Sequence, residues 1–280
     1  MNGIFRRHEK SAGIGDSVTR VRSRKLGFAT SVGRVRRVDE DSILAMDVGT
    51  AFSSDARTRR LLMLADGMGG HRRGDVASRI AVQVAASTLL PLLTSEGDIS
   101  KATYYRELQA AVASANRAIL GEARKNPEYE GMGTTLCIAV VDRPNVLHVA
   151  NVGDSRVYIV NDHEICQVTR DHSLVQEMVE RGEILPEEAR HHPRKNVITR
   201  VVGYYGEVEA DIGCLTVVPG DMVLLCCDGL TNHVEDDEIL RLVAESSDPQ
   251  RACEMLVAMA NEAGGTDNIS VILAPAVTIV

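Results

Sequence analysis

The sequence predicts an α+β fold in which two sheets carry helices on their outer faces. Apolar runs of strand length come in series, helical patterns come in pairs, and the strict strand–helix alternation of a barrel is missing.

The elements follow in order. Residues 1 to about 24 have no apolar periodicity and read as a basic, flexible leader, with residues 25–280 forming a single domain. Leu61 to Ala65 is a short apolar run ending in Asp66, the pattern of a buried strand. Val76, Ile80, Val84 and Leu89 line one face of a helix, and Tyr105, Leu108, Val112, Ala115 and Ile119 line a second. Four strand-like runs follow: Thr134 to Val141, Val146 to Val152, Arg156 to Val160 and Glu164 to Thr169. Arg143, Pro144 and Asn145 supply the turn between the first two.

Ser173 with Gln176 forms a capping box and starts a short helix to about Arg181. A polar excursion with Pro186 and Pro193 comes next. Strands are expected again at Val197 to Val202, Val208 to Cys214 and Met222 to Cys227. Asn232 with Glu235 opens a helix, and Asp248 before Pro249 opens another that Gly264-Gly265 ends. Ile269 to Leu273 is the last strand.

Composition narrows the function. The 280 residues can bury a sizeable core, and with aromatics at 3% and no Trp that core is aliphatic. Few aromatics also argue against base stacking on nucleic acid. The net charge of −8 is uneven: residues 1–25 carry about +5, leaving about −13 on the rest. An acidic body disfavours nucleic acid and suits a collector of divalent cations. Six cysteines without CxxC or zinc spacing point to a reducing, cytoplasmic compartment. No run of membrane-spanning length and no signal-peptide pattern is evident.

The aspartates carry the chemistry. Apolar runs stop at Asp66-Gly67, Gly153-Asp154 and Asp228-Gly229, and Asp267-Asn268 stands just before the last strand. Asp39-Glu40-Asp41 makes a further acidic knot. A strand end holds a carboxylate in a fixed position, and the adjacent glycine lets the backbone approach a ligand. Any one Asp-Gly is equally a turn. Several carboxylates meeting in one cleft need cations to be stable, and all-oxygen donors select Mg²⁺ or Mn²⁺ over Zn²⁺.

The string Ala65-Asp66-Gly67-Met68-Gly69-Gly70-His71, continuing to Gly74 and Ala77-Ser78, resembles the signature of bacterial members of the protein phosphatase 2C (PPM) family. Further matches come in family order: Val35-Arg36 before Asp39-Glu40-Asp41-Ser42; Gly131-Met132-Gly133-Thr134-Thr135-Leu136; Asn151-Val152-Gly153-Asp154-Ser155-Arg156; Asp171-His172-Ser173; Asp228-Gly229-Leu230; and Gly265-Thr266-Asp267-Asn268-Ile269-Ser270. They span residues 27 to 274.

The resemblance implies a four-layer αββα sandwich, with two mostly antiparallel sheets flanked by helix pairs and the metals at one end. It implies hydrolysis of phosphoserine and phosphothreonine on proteins, opposing a bacterial Ser/Thr kinase, by a hydroxide shared between two ions. Asp66 matches the bridging carboxylate, Gly67 a carbonyl ligand, and Asp228 and Asp267 the remaining ligands of the pair. Asp154 matches a residue that, with Asp228, holds a third ion. Asp41 matches an outer-shell acid and Arg36 the phosphate-binding arginine. Residues 170–196 match a flap beside the site, whose His191 and His192 are placed to meet substrate or solvent. A monomer is expected.

Departures matter too. Met68 stands where many eukaryotic relatives have a histidine proposed as general acid, so leaving-group protonation falls to metal-bound water or to His71. Cys227 stands where relatives often have Ser or Thr, and reads as strand packing.

Other readings compete with this one. Cys137 and Arg143 satisfy C-x5-R, but the residues between them form a strand rather than a phosphate cradle. A glycine-rich nucleotide module fails because Gly67-Met68-Gly69-Gly70 lacks GxGxxG spacing and a P-loop lysine. A catalytically inactive sensor or scaffold on this fold remains the alternative function.

Overall fold

The computed structural model describes residues 25–52, 55–68, 73–142, 145–204 and 206–276. The basic leader, Arg143 and His71 lie outside the described residues.

One sheet has five strands in the order β1 (Gly27–Ser31), β11 (Ile269–Pro275), β10 (Met222–Cys226), β7 (Arg156–Val160) and β8 (Ile165–Gln167). The other has six: β2 (Asp41–Phe52), β3 (Asp55–Met68), β5 (Leu136–Asp142), β6 (Val146–Val152) and β9 (Asp211–Thr216), with β4 (Gly133–Thr134) against the end of β3. All the ladders are antiparallel.

Alternation along β3 explains the layering. Leu61, Met63 and Ala65 pack on α1 (Gly74–Leu93) and α2 (Lys101–Lys125). Leu62 and Leu64 face the other way, into an inter-sheet core with Val157, Leu225 and Ile272. A third cluster joins the five-stranded sheet to α6 (Asp236–Glu245) and α7 (Pro249–Glu262). Each fully buried Leu, Ile or Val contributes about 1.5–3 kcal/mol. The four layers are those implied by the resemblance.

Two of the expected helix starts carry side-chain caps, although the Gln176 side chain turns to Glu180 (3.1 Å) and leaves the capping box half formed. Ser173 Oγ accepts from the Gln176 amide to cap α3 (Leu174–Glu180), and Asp248 accepts from the Gln250 amide to cap α7. By length and a mean hydropathy of 1.5, α1 could cross a membrane. Its apolar side is instead buried against α2 and β3.

Some expectations needed correction. Val197 to Val202 is not a strand; it makes only two isolated bridges, Ser173 with Ile198 and Thr134 with Val202. No helix opens at Asn232, which instead is the C-cap of α5 (Asp228–Thr231); the next helix starts later, as α6, with Glu235 as its N-cap. A short α4 (Pro186–Ala189) interrupts the polar excursion. Strands β1 and β2 were not foreseen; β1 pairs edgewise with β11, and β2 is a partly exposed edge with weak alternation.

Candidate metal centre

The acidic residues gather at one end of the sandwich, where both sheets contribute. Asp41 opens β2 and pairs directly across from Asp66 near the end of β3. Asp228 follows β10 as the first residue of α5, and Asp267 precedes β11. Asp154 follows β6.

The backbone at Asp66 is clamped. Its amide donates to Thr135 Oγ1 (2.9 Å), and its carbonyl accepts from the Thr135 amide and the Thr134 hydroxyl (both 2.9 Å). The glycines after Asp66 and Asp228 are steric requirements. A Cβ on Gly67 would lie 2.3 Å from the Gly74 carbonyl oxygen, and one on Gly229 would lie 1.9 Å from that of Asn268.

The charges interact strongly. Burial pushes the Asp66 carboxyl well above its ordinary range, and Asp41, Asp228, Asp154 and Asp267 push it further. Asp41 is raised to about 7 by burial and by Asp39 and Asp228, against the opposing influence of Ser270 and Cys227. Asp228 is raised to about 6 by burial and Asp267, with relief from Asn232 and Lys195. Burial and the charges of Asp228 and Asp171 raise Asp154. Both Asp41 carboxylate oxygens and Asp154 Oδ1 are buried without a hydrogen-bond partner. Carboxylate oxygens this buried and this poorly served by donors match the all-oxygen ligands of hard cations, so this donor set fits divalent ions.

A model described as protein phosphatase 2C matches residues 45–263. The chain belongs to the protein phosphatase 2C family. This phosphatase 2C chain is 38% identical over 249 residues to the serine/threonine phosphatase stp of Listeria monocytogenes, covering 88% of this chain and 93% of that one. Its fold matches the structure of Stp1 from Staphylococcus aureus with a TM-score of 0.79 and 33% identity, over 96% of this chain and 98% of that one. It also matches the catalytic domain of PstP in complex with two manganese ions, with a TM-score of 0.74 and 35% identity over 90% and 97% of the chains. The protein is a metal-dependent serine/threonine protein phosphatase.

Around the phosphatase 2C acid cluster, the sequence-predicted residues take these places. Arg36 lies at the exposed rim, where its Nη2 donates to Asp267 Oδ2 (2.7 Å), and that bond raises its pKa. Gly67 sits beside Asp66, and its amide donates to the Glu40 carbonyl (3.1 Å). Helices α3 and α4, with α5 and α6, line a cavity of about 660 Å³ that reaches Asp154 and Asp228 and is also lined by His191 and Lys195. His192 instead accepts from the Arg194 amide through Nδ1 (3.1 Å).

Three supporting residues stood in the quoted motifs without an assigned role. Glu40 is buried just before β2, and its Oε1 accepts from the Gly74 amide at the start of α1 (3.1 Å). Asn268 accepts from the Glu40 amide (2.9 Å) and donates to the carbonyls of Val32 (3.0 Å) and Val38 (2.9 Å), tying the Arg36 loop to the Asp267 turn. His172 accepts from the Gly153 amide through Nδ1 (3.1 Å), while its own amide donates to the Gly153 carbonyl (2.9 Å). Its Nε2 lies 3.1 Å from Asp211 Oδ2. Burial would raise Asp211, but His172 and Arg200 hold it down at about 2. The turn that carries Asp154 is thereby bracketed from both sides.

Proposed function

We propose that Asp66, Gly67, Asp228 and Asp267 hold a pair of Mn²⁺ or Mg²⁺ ions, and that Asp154 with Asp228 holds a third. The observation that carries this reading is the half-buried Asp66 carboxyl, which feels four other carboxylates brought from both sheets. Oxygen donors throughout favour hard ions. The manganese complex of the similar PstP domain supports the same choice. Such ions, when bound, lower the pKa of water and offset charge on phosphoryl oxygens.

The chain's own residues do the rest. Clamping by Thr134 and Thr135 fixes Asp66, and Asn232 Nδ2 donates to Asp228 Oδ2 (2.9 Å). Asp41 stands behind Asp66 as an outer-shell acid that orients water. Arg36 spends one N–H on Asp267 and keeps further donors for phosphate oxygens. His71 is a second substrate contact in this reading.

Residues 25–280 act as one catalytic domain, with 170–196 as its flap. The substrates are phosphoproteins, among them a Ser/Thr kinase and its targets. The protein works as a cytoplasmic monomer without a membrane span and without nucleic acid.

The test is turnover of p-nitrophenyl phosphate and a phosphothreonine peptide by purified protein. Turnover is expected to need Mn²⁺ or Mg²⁺, to stop with chelator, and to be lost in Asp66→Asn and Asp228→Asn. Near-wild-type activity in either variant would reject the assignment. Wild-type protein inert with every divalent ion would restore the scaffold alternative.

A further inference from the structure

The cavity beside Asp154 and Asp228 has two kinds of wall. Val175 and Val179 of α3 and Pro186 of α4 give it an apolar side. The first turn of α6 brings Asp236 and Asp237 to it, and Glu187 of α4 adds another carboxylate. These acids are not balanced by the bases nearby. Arg156 is spent on Asp171 (2.7 Å) and Arg190 on Glu235 (2.7 Å). Lys195 acts on Asp228, at the metal end of the cavity. Asp236 accepts from the Tyr158 hydroxyl (3.3 Å). Among the described residues, the side chains of Glu187 and Asp237 have no ion-pair or hydrogen-bond partner.

The dipole of α6 does not account for this surplus. A helix N-terminus carries about half a positive charge, whereas the first turn of α6 holds Asp236, Asp237 and Glu238. Glu238 already closes on the Glu235 amide (3.1 Å). Thr231 supplies an independent observation. It lines the same cavity and is only 7% exposed, yet its hydroxyl has no hydrogen-bond partner among the described residues. A polar group so buried calls for a partner from whatever fills the cavity.

We propose that this cavity is a substrate subsite for an arginine or lysine side chain close to the phosphorylated residue. The aliphatic stem lies along Val175, Val179 and Pro186, and the cationic head meets Glu187 and Asp237. Arginine fits better than lysine, because its planar fork can serve two carboxylates and still donate to the Thr231 hydroxyl. A volume of about 660 Å³ also leaves room for the peptide backbone on either side of that residue. An acidic side chain in the same place meets like charge, so the subsite rejects as well as selects. The proposal rests on the functional reading above, since the cavity adjoins the phosphoryl group only if the ions sit at Asp66, Asp228 and Asp267.

The experiment measures kcat/KM of the full chain with Mn²⁺ on phosphothreonine peptides. A single arginine is moved stepwise along both sides of the phosphothreonine, and each peptide is compared with its alanine and glutamate counterparts. At the position that reaches the subsite, arginine should raise kcat/KM by about three- to tenfold over alanine at low salt. That gain should shrink as salt rises, and glutamate should fall below alanine. The double variant Glu187→Gln, Asp237→Asn should lose the gain and still turn over the alanine peptide and p-nitrophenyl phosphate, neither of which places a cation in the cavity. Asp237→Lys should turn the preference toward the glutamate peptide. Arginine no better than alanine at every position would overturn the proposal alone, and so would an arginine preference that survives in the double variant. Should the double variant prove insoluble, an arginine preference intact in Asp237→Lys would do the same. Wild type that turns over neither p-nitrophenyl phosphate nor any of the peptides with Mn²⁺ would overturn the functional reading, and this proposal with it.

Discussion

The metal-free enzyme should be an acid-stabilised protein, and Asp228→Asn should stabilise it at neutral pH. The Asp228 carboxyl is held at about 6, against an ordinary 3.8. The folded state therefore binds more protons than the unfolded chain between about pH 4 and 6, and Asp41, held at about 7, extends that window. Where the folded state binds more protons, stability falls as pH rises. A shift of two units corresponds to about 3 kcal/mol for Asp228. Asparagine keeps an oxygen for Asn232 Nδ2 and removes the charge, so above pH 7 the metal-free variant should gain about 2–3 kcal/mol. For a domain of this size that is roughly 4–10 °C in melting temperature. The assay is thermal or urea unfolding with chelator from pH 4.5 to 8, followed by Mn²⁺ addition. Wild type should be restored in proportion to the logarithm of Mn²⁺ concentration, and the variant much less. A wild-type melting temperature that is flat across this range, or a variant less stable than wild type at pH 8, would refute the reasoning.

Three further outcomes follow from the supporting residues. Gly67→Ala forces a methyl group against the Gly74 carbonyl and should cost about 3 kcal/mol or more, read by urea unfolding, with loss of turnover. Glu40→Leu removes the acceptor for the buried Gly74 amide and should cost about 1–3 kcal/mol, whereas Glu40→Gln keeps an acceptor and should stay within about 1 kcal/mol of wild type. Asn268→Ala deletes three hydrogen bonds at about 1 kcal/mol each. Because these bonds join the Asp267 turn to the Arg36 loop, calorimetry should also show weaker Mn²⁺ binding in this variant.

The strands that end in aspartate were legible because burial on both faces produces continuous apolar runs, as at Leu61 to Ala65 and Met222 to Cys227. Helices α1, α2 and α7 were legible from periodicity and caps. Strand β2 was not, since an edge strand with half-exposed residues on both faces leaves no clean period in its sequence. The segment Val197 to Val202 failed for the opposite reason. It has strand composition, but Ser173 and Thr134 offer it only single bridges, and pairing rather than propensity makes a strand. Within the site, the aspartates showed themselves by position, whereas Glu40, Asn268 and His172 did not. Their roles depend on backbone groups far away in the sequence, the Gly74, Gly153 and Glu40 amides and the Val32 and Val38 carbonyls, and single-sequence spacing does not report such contacts.

The site's geometry is a problem of aligning two sheets. Apolar packing between them is non-directional and sets their spacing more firmly than their register. Polar pins fix the register instead. At the metal end, Asn268 before β11 holds the Glu40 amide just before β2. Six residues back along β3 from Asp66, Arg60 donates to the Pro275 carbonyl at the far end of β11 (2.7 Å). Six strand residues span about 20 Å. The two pins are therefore spaced along the sandwich and resist both sliding and rotation of one sheet over the other. That resistance is needed because Asp41 and Asp66 ride on one sheet while Asp228 and Asp267 ride on the other, and their mutual repulsion pushes the sheets apart at this end. The bound ions would reverse the sign of that force, so metal binding should tighten the inter-sheet contact as well as activate water.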